Sequence, residues 1–233
     1  MNNLKFLKRI YLPCFLILML TYSCSNNNEK VNNEEWNDVN YYSNGKIKKR
    51  CKQISFTENV SLCEQYDSLG NLMRTGKYRN DLATGVHKFY NLNHNLECTR
   101  QYVIIGGKES YLNQVIRFNA AGDTIKVGSN YFSINEKKDT LTLGETYYAT
   151  IKLETPVLNP SKMEIYFDVP NDTSSVRIMQ AENYIVNYDY TPTHKGEYLL
   201  KGKIIEMKID PTTTKIDTVD SRILYFRKSY YVK

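Results

Sequence analysis

The 233-residue chain is predicted to be all-β, a repetitive sheet of β-hairpins followed by a β-sandwich, and three observations carry that prediction. Twenty tyrosines stand against one tryptophan, a bias toward half-buried strands over a helical bundle. Turn-forming residues recur at near-regular spacing in the first half, and longer segments of period-two alternation fill the second. Hydrophobic residues at 41% and charged residues at 24% lie near globular averages, so the body of the chain has apolar surface enough to fold.

Before the first strand comes a leader. Lys5, Lys8 and Arg9 precede the apolar stretch Ile10 to Leu20, the order of a secretory signal. That stretch is shorter than the roughly 20 residues a bilayer span takes. It ends at Thr21-Tyr22-Ser23-Cys24, and a cysteine behind a small residue at this place resembles the lipobox of Bacteroidetes-like bacterial lipoproteins. The resemblance implies that residues 1–23 are a signal peptide, cleaved before Cys24, and that Cys24 is lipidated on its thiol and on its new amino group. The competing expectation is an ordinary secretory signal with a chance cysteine. Residues 24–36 are polar, rich in Asn and aperiodic, as a tether is. Several acyl chains anchor stably where one is marginal. The expected address is therefore the cell envelope, at the outer membrane, with a periplasmic or surface orientation left open. Without Lys5, Lys8 and Arg9 the balance is 28 cationic against 25 acidic residues, a net charge too small to imply a nucleic-acid partner.

Residues 37–129 hold an internal repeat: an aromatic, three residues, a turn former, one residue, then usually an aliphatic. It runs Tyr41-Gly45-Ile47, Tyr66-Gly70-Leu72, Tyr90-His94-Leu96 and Phe118-Gly122-Thr124, the aromatics 25, 24 and 28 residues apart. Asn44-Gly45 and Gly70-Asn71 have the chemistry of two-residue hairpin turns at positive φ, and His94 fits the same place as a turn residue. A second set of turns is expected at Thr57 to Asn59, Asn80 to Gly85 and Gly106-Gly107. A unit unable to bury its face alone should stack on its neighbours into an elongated sheet. Gly76-Lys77-Tyr78-Arg79-Asn80 and Gly85-Val86-His87-Lys88-Phe89-Tyr90 resemble the variant MORN repeats of bacterial proteins, with Asp81 where that family has a second turn glycine. Tyr66 to Leu72 also resembles the YD repeat of toxin shells, although only this unit carries the Asp. The MORN-variant resemblance implies a scaffold without catalytic residues.

From residue 130 the pattern changes to longer strands with clear period-two alternation, and residues 130–233 are read as one domain. Tyr147, Ala149, Ile151 and Leu153 share one face, as do Met163, Ile165, Phe167 and Val169. In Gly196 to Ile209 the apolar parity changes after Ile204, which predicts a bulge near Ile204-Ile205. His194 to Leu200 resembles the immunoglobulin strand that bears the tyrosine corner, with Leu200 where that family has its second cysteine. The resemblance implies an immunoglobulin-like sandwich in which the Tyr198 hydroxyl returns to the backbone a few residues upstream.

Chemistry is sparse. No GxSxG, HExxH, P-loop or dinucleotide motif occurs, so neither a catalytic set nor a cofactor is expected. His87, His94 and His194 lack metal spacing, and no CxxC pair suggests zinc. With Cys14 in the signal and Cys24 lipidated, Cys51, Cys63 and Cys98 remain, so at most one intrachain disulfide forms, its pairing open. Glu164 and Asp168, and Glu206 and Lys208, read as outward charges. Ser68, Thr124, Thr140 and Thr218 each follow Asp and precede an aliphatic, which resembles the O-glycosylation triplet of exported Bacteroidetes proteins; the same dipeptides also start turns. Tyr42, Tyr78 and Tyr111 are candidates for an aromatic surface that stacks on glycan or peptide, against the alternative of cross-strand packing. The expected function is a non-enzymatic binding or assembly module with an envelope protein or glycan as partner. An envelope glycan- or peptide-processing enzyme is the alternative, and an immunity or antitoxin-like protein a third.

Overall fold

The computed structural model describes residues 36–170, 172–210, 212 and 216–233; the leader, Cys24 and most of the tether lie outside them. Sixteen strands form among the described residues, all antiparallel to their neighbours except one pair. Eight make a single meandering sheet in chain order: β1 (Asp38–Tyr41), β2 (Ile47–Ser55), β3 (Val60–Tyr66), β4 (Leu72–Arg79), β5 (Leu82–Tyr90), β6 (Leu96–Ile105), β7 (Glu109–Phe118) and β8 (Thr124–Asn130). The repeat predicted from spacing is thus a ladder of hairpins.

Its turns are of two kinds. At the near-regular positions the residue after the aromatic receives the chain again: the backbone N–H groups of Tyr42, Asp67, Asn91 and Asn119 donate to the carbonyls of Lys46, Asn71, Asn95 and Asp123. Gly45, Gly70, His94 and Gly122 take the left-handed conformation there. Each is a longer turn with one left-handed residue, the first three with a register shift beside them, not the two-residue turn expected. At the opposite edge of the sheet Asn80-Asp81 is a two-residue turn with positive φ at both positions, and Gly106-Gly107 take positive φ within the three-residue connection 106–108. Trp36, assigned to the tether from sequence, lays its ring against Arg50 of β2 with 4.3 Å to the guanidinium.

The remaining strands are β9 (Phe132–Glu136), β10 (Thr140–Leu141), β11 (Tyr147–Leu153), β12 (Ser161–Val169), β13 (Asp172–Gln180), β14 (Ile185–Tyr190), β15 (Gly196–Ile209) and β16 (Ile216–Val232). They form a five-stranded sheet, β10-β16-β15-β12-β13, against a three-stranded one, β14-β11-β9. The exception to antiparallel pairing is β10 beside β16. This is the expected β-sandwich. Its core collects the alternating residues named from sequence, Tyr147, Ile151, Leu153, Met163, Ile165 and Phe167, with Ile204, Leu224 and Val232. Aromatic pairs join the two sheets across this core: Tyr147 stacks on Tyr230 at 3.9 Å and Phe167 on Tyr188 at 4.6 Å.

No bulge interrupts β15 at Ile204-Ile205. Both neighbours keep register there, and the shift falls at Met207/Lys208. Inward parity runs Tyr198, Leu200, Ile204, Glu206, so a carboxylate occupies a core position and Ile205 and Met207 face outward. The predicted outward Glu206 is 1% exposed.

Candidate functional site

A groove of about 620 Å³ crosses the outer face of the five-stranded sheet. Alternation places its lining: Tyr166 and Asp168 of β12, Val176 and Ile178 of β13, Lys201 and Lys203 of β15, and Tyr225 and Arg227 of β16 point away from the core, with Gly202 and Phe226 at the floor. Val176 and Ile178 are 54% and 55% exposed, two outward aliphatics side by side on the edge strand of the sheet. Gly202 is needed for close packing: a Cβ there would stand 2.1 Å from the Tyr166 carbonyl oxygen and 2.8 Å from the Phe226 ring. On the rim Lys201 pairs with Asp168 at 2.9 Å, and the Lys203 ammonium lies 5.1 Å from the Tyr166 ring centre. The Tyr166 hydroxyl donates to Glu164, and that acceptor raises its pKa.

One wall of the groove is held by the hairpin sheet. At Ile223 to Tyr225, β16 has β15 on one side and no strand on the other. Asn113 supplies the missing neighbour, donating to the Tyr225 carbonyl at 2.7 Å and accepting the Tyr225 N–H at 2.6 Å. The Tyr111 hydroxyl donates to the Ile223 carbonyl at 2.7 Å, and its ring meets Tyr225 edge-on. Burial raises the Tyr111 pKa.

A second concavity, about 570 Å³, lies over β1 to β4 of the hairpin sheet. The Cys51–Cys63 disulfide, which joins directly opposed residues of β2 and β3, is at its floor, and Lys49, Phe56 and Tyr78 stand around it. Cys98 is free and buried.

The three tyrosines proposed from sequence are not brought together. Tyr42 donates to the Tyr66 carbonyl at 2.8 Å and has Lys48 over its ring. Tyr78 is half-buried against His87 and accepts from Arg74, while Tyr111 belongs to the junction described above. Of the hydroxyls in Asp-Ser/Thr triplets, Ser68 and Thr124 are exposed, Thr140 is half-buried on β10, and Thr218 falls on β16 where only the backbone is described. Asp67 accepts the N–H groups of Leu69 and Asn71, so that dipeptide does start a turn.

His87 is fully buried between Tyr78 and Tyr102, its Nε2 2.9 Å from the Lys77 carbonyl, and desolvation lowers its pKa. His94 sits in its turn, and His194 Nδ1 contacts the Thr193 hydroxyl. Glu206 accepts the N–H groups of Val157 and Leu158 and the Ser161 hydroxyl, and pairs with Arg222 at 2.8 Å. Among the described residues no three His, Cys, Asp or Glu side chains converge as a metal site. What the arrangement offers chemically is apolar and aromatic surface edged by cations. Sequence reasoning missed the groove because outward Val176 and Ile178 fit the same alternation as solvated residues, and no single-strand pattern reveals four strands converging. Comparison with known protein families, curated proteins and solved structures finds no match for the chain.

Proposed function

We propose that the chain is a non-enzymatic binding or assembly lipoprotein of the bacterial cell envelope, anchored at the outer membrane through Cys24, with the sandwich groove as its docking surface. The observation that carries the reading is the groove itself, where Val176 and Ile178 remain exposed beside Tyr166 and Tyr225 within a rim of Lys201, Lys203 and Arg227. An apolar floor supplies affinity and the cationic rim orientation, a division of labour usual at interfaces. The leader, the Ser23-Cys24 junction and the polar tether support the anchor. The repeated turn geometry supports kinship with MORN-variant scaffolds.

Photo-crosslinking from the groove in intact cells tests the docking reading. Full-length wild type should give a discrete adduct that Val176→Asp with Ile178→Asp abolishes while circular dichroism stays unchanged; adducts that survive the double substitution would overturn it. Metabolic labelling with an alkyne fatty acid should mark wild type and not Cys24→Ala, and label retained by the variant would remove the anchor.

A further inference from the structure

The net positive charge of residues 36–233 falls on the hairpin sheet. Residues 36–130 carry 13 Lys and Arg against 8 Asp and Glu, whereas residues 131–233 carry 14 of each. Register concentrates part of it on one face. Lys49, Gln65, Arg74, Phe89, Cys98 and Arg117 stand opposite one another in turn, a single row across β2 to β7. Arg100, two residues along β6 from Cys98, leans onto Phe89 with 4.5 Å from guanidinium to ring. Arg74 lies between Phe89 and Tyr78, and Lys49 over Tyr78. Arg50, Arg79 and Arg117 have carboxylate partners, but no carboxylate among the described residues pairs with Lys49, Arg74 or Arg100. Gln114, next to Val115 on β7, reaches the sandwich at Phe132, so the sandwich is met from the opposite face and this one stays open.

We propose that this face binds a linear acidic polysaccharide whose chain runs across the strands. The surface is distinct from the sandwich groove and does not depend on it. Spacing selects the ligand. Arg100 on β6 is displaced two residues along its strand, but Lys49 and Arg74 stand in one row on alternate strands, β2 and β4, so their backbones are two strand spacings apart, about 9.6 Å. That is close to the repeat of a β-linked disaccharide bearing one carboxylate. An extended acidic peptide presents same-face side chains about every 6.8 Å, and a nucleic-acid strand a phosphate about every 3.4 Å; both fall out of step with the row. The cations are half-buried beside aromatic rings, unlike projecting lysines that reach into a bilayer surface. Guanidinium groups grip carboxylates with paired N–H donors, and the rings of Tyr78 and Phe89 between them offer apolar faces to the sugar C–H groups.

Hyaluronan oligosaccharides, with one carboxylate per disaccharide, are the probe, titrated calorimetrically into the full chain. Saturable binding that weakens with added salt is expected, with neutral dextran inert. Arg74→Gln with Arg100→Gln should reduce affinity at least tenfold, the loss of two charge-assisted contacts. Val176→Asp with Ile178→Asp should leave it unchanged, which separates this surface from the groove. Should the arginine pair fail to fold by circular dichroism, Lys49→Gln alone should still weaken binding. The proposal is overturned by absence of saturable binding, by affinity that survives the folded substitutions, or by tighter binding to phosphatidylglycerol vesicles or single-stranded DNA.

Discussion

Three tyrosines of the sandwich differ only in what their hydroxyls meet, and that difference sets three outcomes for the same substitution. The Tyr198 hydroxyl accepts the His194 N–H at 3.1 Å and donates to the His194 carbonyl at 3.2 Å, tying the start of β15 to the preceding loop. Tyr198→Phe should lose about 0.5–1.5 kcal/mol for the bond, plus about 1–3 kcal/mol for polar groups left in a dry site. Tyr166→Phe, at the surface, should stay within about 0.5 kcal/mol. The Tyr230 hydroxyl is buried with no hydrogen-bond partner among the described residues, so Tyr230→Phe should be neutral or stabilise by about 1 kcal/mol. Denaturant melts rank the three, and any other order would refute the assignment. Glu206 sets a larger scale: Glu206→Ala strands Arg222 and the Val157 and Leu158 N–H groups, at about 3–5 kcal/mol by the same melts. Tyr198 was legible because a Gly-x-Tyr before a long apolar run has one strong structural meaning. Glu206 was not, since periodicity assigns a charge among aliphatics to the solvent side, and it is the half-buried Arg222, sixteen residues away, with the Val157 and Leu158 N–H groups, that makes the inward position tenable.

Among the elements, β4 and β5 show how a single-layer sheet buries anything at all. Gly76 faces His87, and a Cβ there would stand 2.3 Å from the imidazole, so the ring fills the space left by a missing side chain while Tyr78 and Tyr102 close over it. Gly76→Ala should therefore unfold this part of the sheet or expel the ring, with loss of protection of the β4 and β5 amides in hydrogen exchange. The same burial gives a pH dependence. Desolvation puts the folded-state pKa of His87 below its unfolded value. Below about pH 6.5 the unfolded chain then binds more protons than the folded one, and stability falls as pH falls. Thermal melts should show a decline from neutral to mildly acidic pH that His87→Gln removes; an equal slope in both would deny the histidine its role. The hairpin ladder was legible because glycine and asparagine mark where φ must be positive. The turn type was not, because its signal is the Asx residue after each aromatic: Asp67, Asn91 and Asn119 each accept the N–H group four residues on. That residue class lay beside the aromatic in every unit but the first, where Tyr42 stands instead.

For the whole molecule the decisive contact is an edge. β16 is the longest strand, and over Ile223 to Tyr225 its second side would be an unpaired row of N–H and C=O groups, the exposure that invites pairing with another chain. Asn113 closes it by presenting an amide that copies a neighbouring peptide group, donor to one Tyr225 atom and acceptor to the other. Because Tyr225 also lines the groove, the hairpin sheet sets the position of a groove wall, and the two halves should unfold as one cooperative unit. Asn113→Ala leaves the Tyr225 N–H and carbonyl without these partners, at about 1–3 kcal/mol for each group that stays dry. Calorimetry should show a single transition for wild type and two for Asn113→Ala, as the sheet and the sandwich melt separately. Tyr111→Phe removes one bond to Ile223 and keeps the amide clamp, so it should lower the melting temperature less and preserve the single transition. A single unshifted transition in Asn113→Ala would mean that cooperativity runs instead through the Arg222 contact to Asn130 and the Phe132 contact to Gln114, and that the edge amide is dispensable.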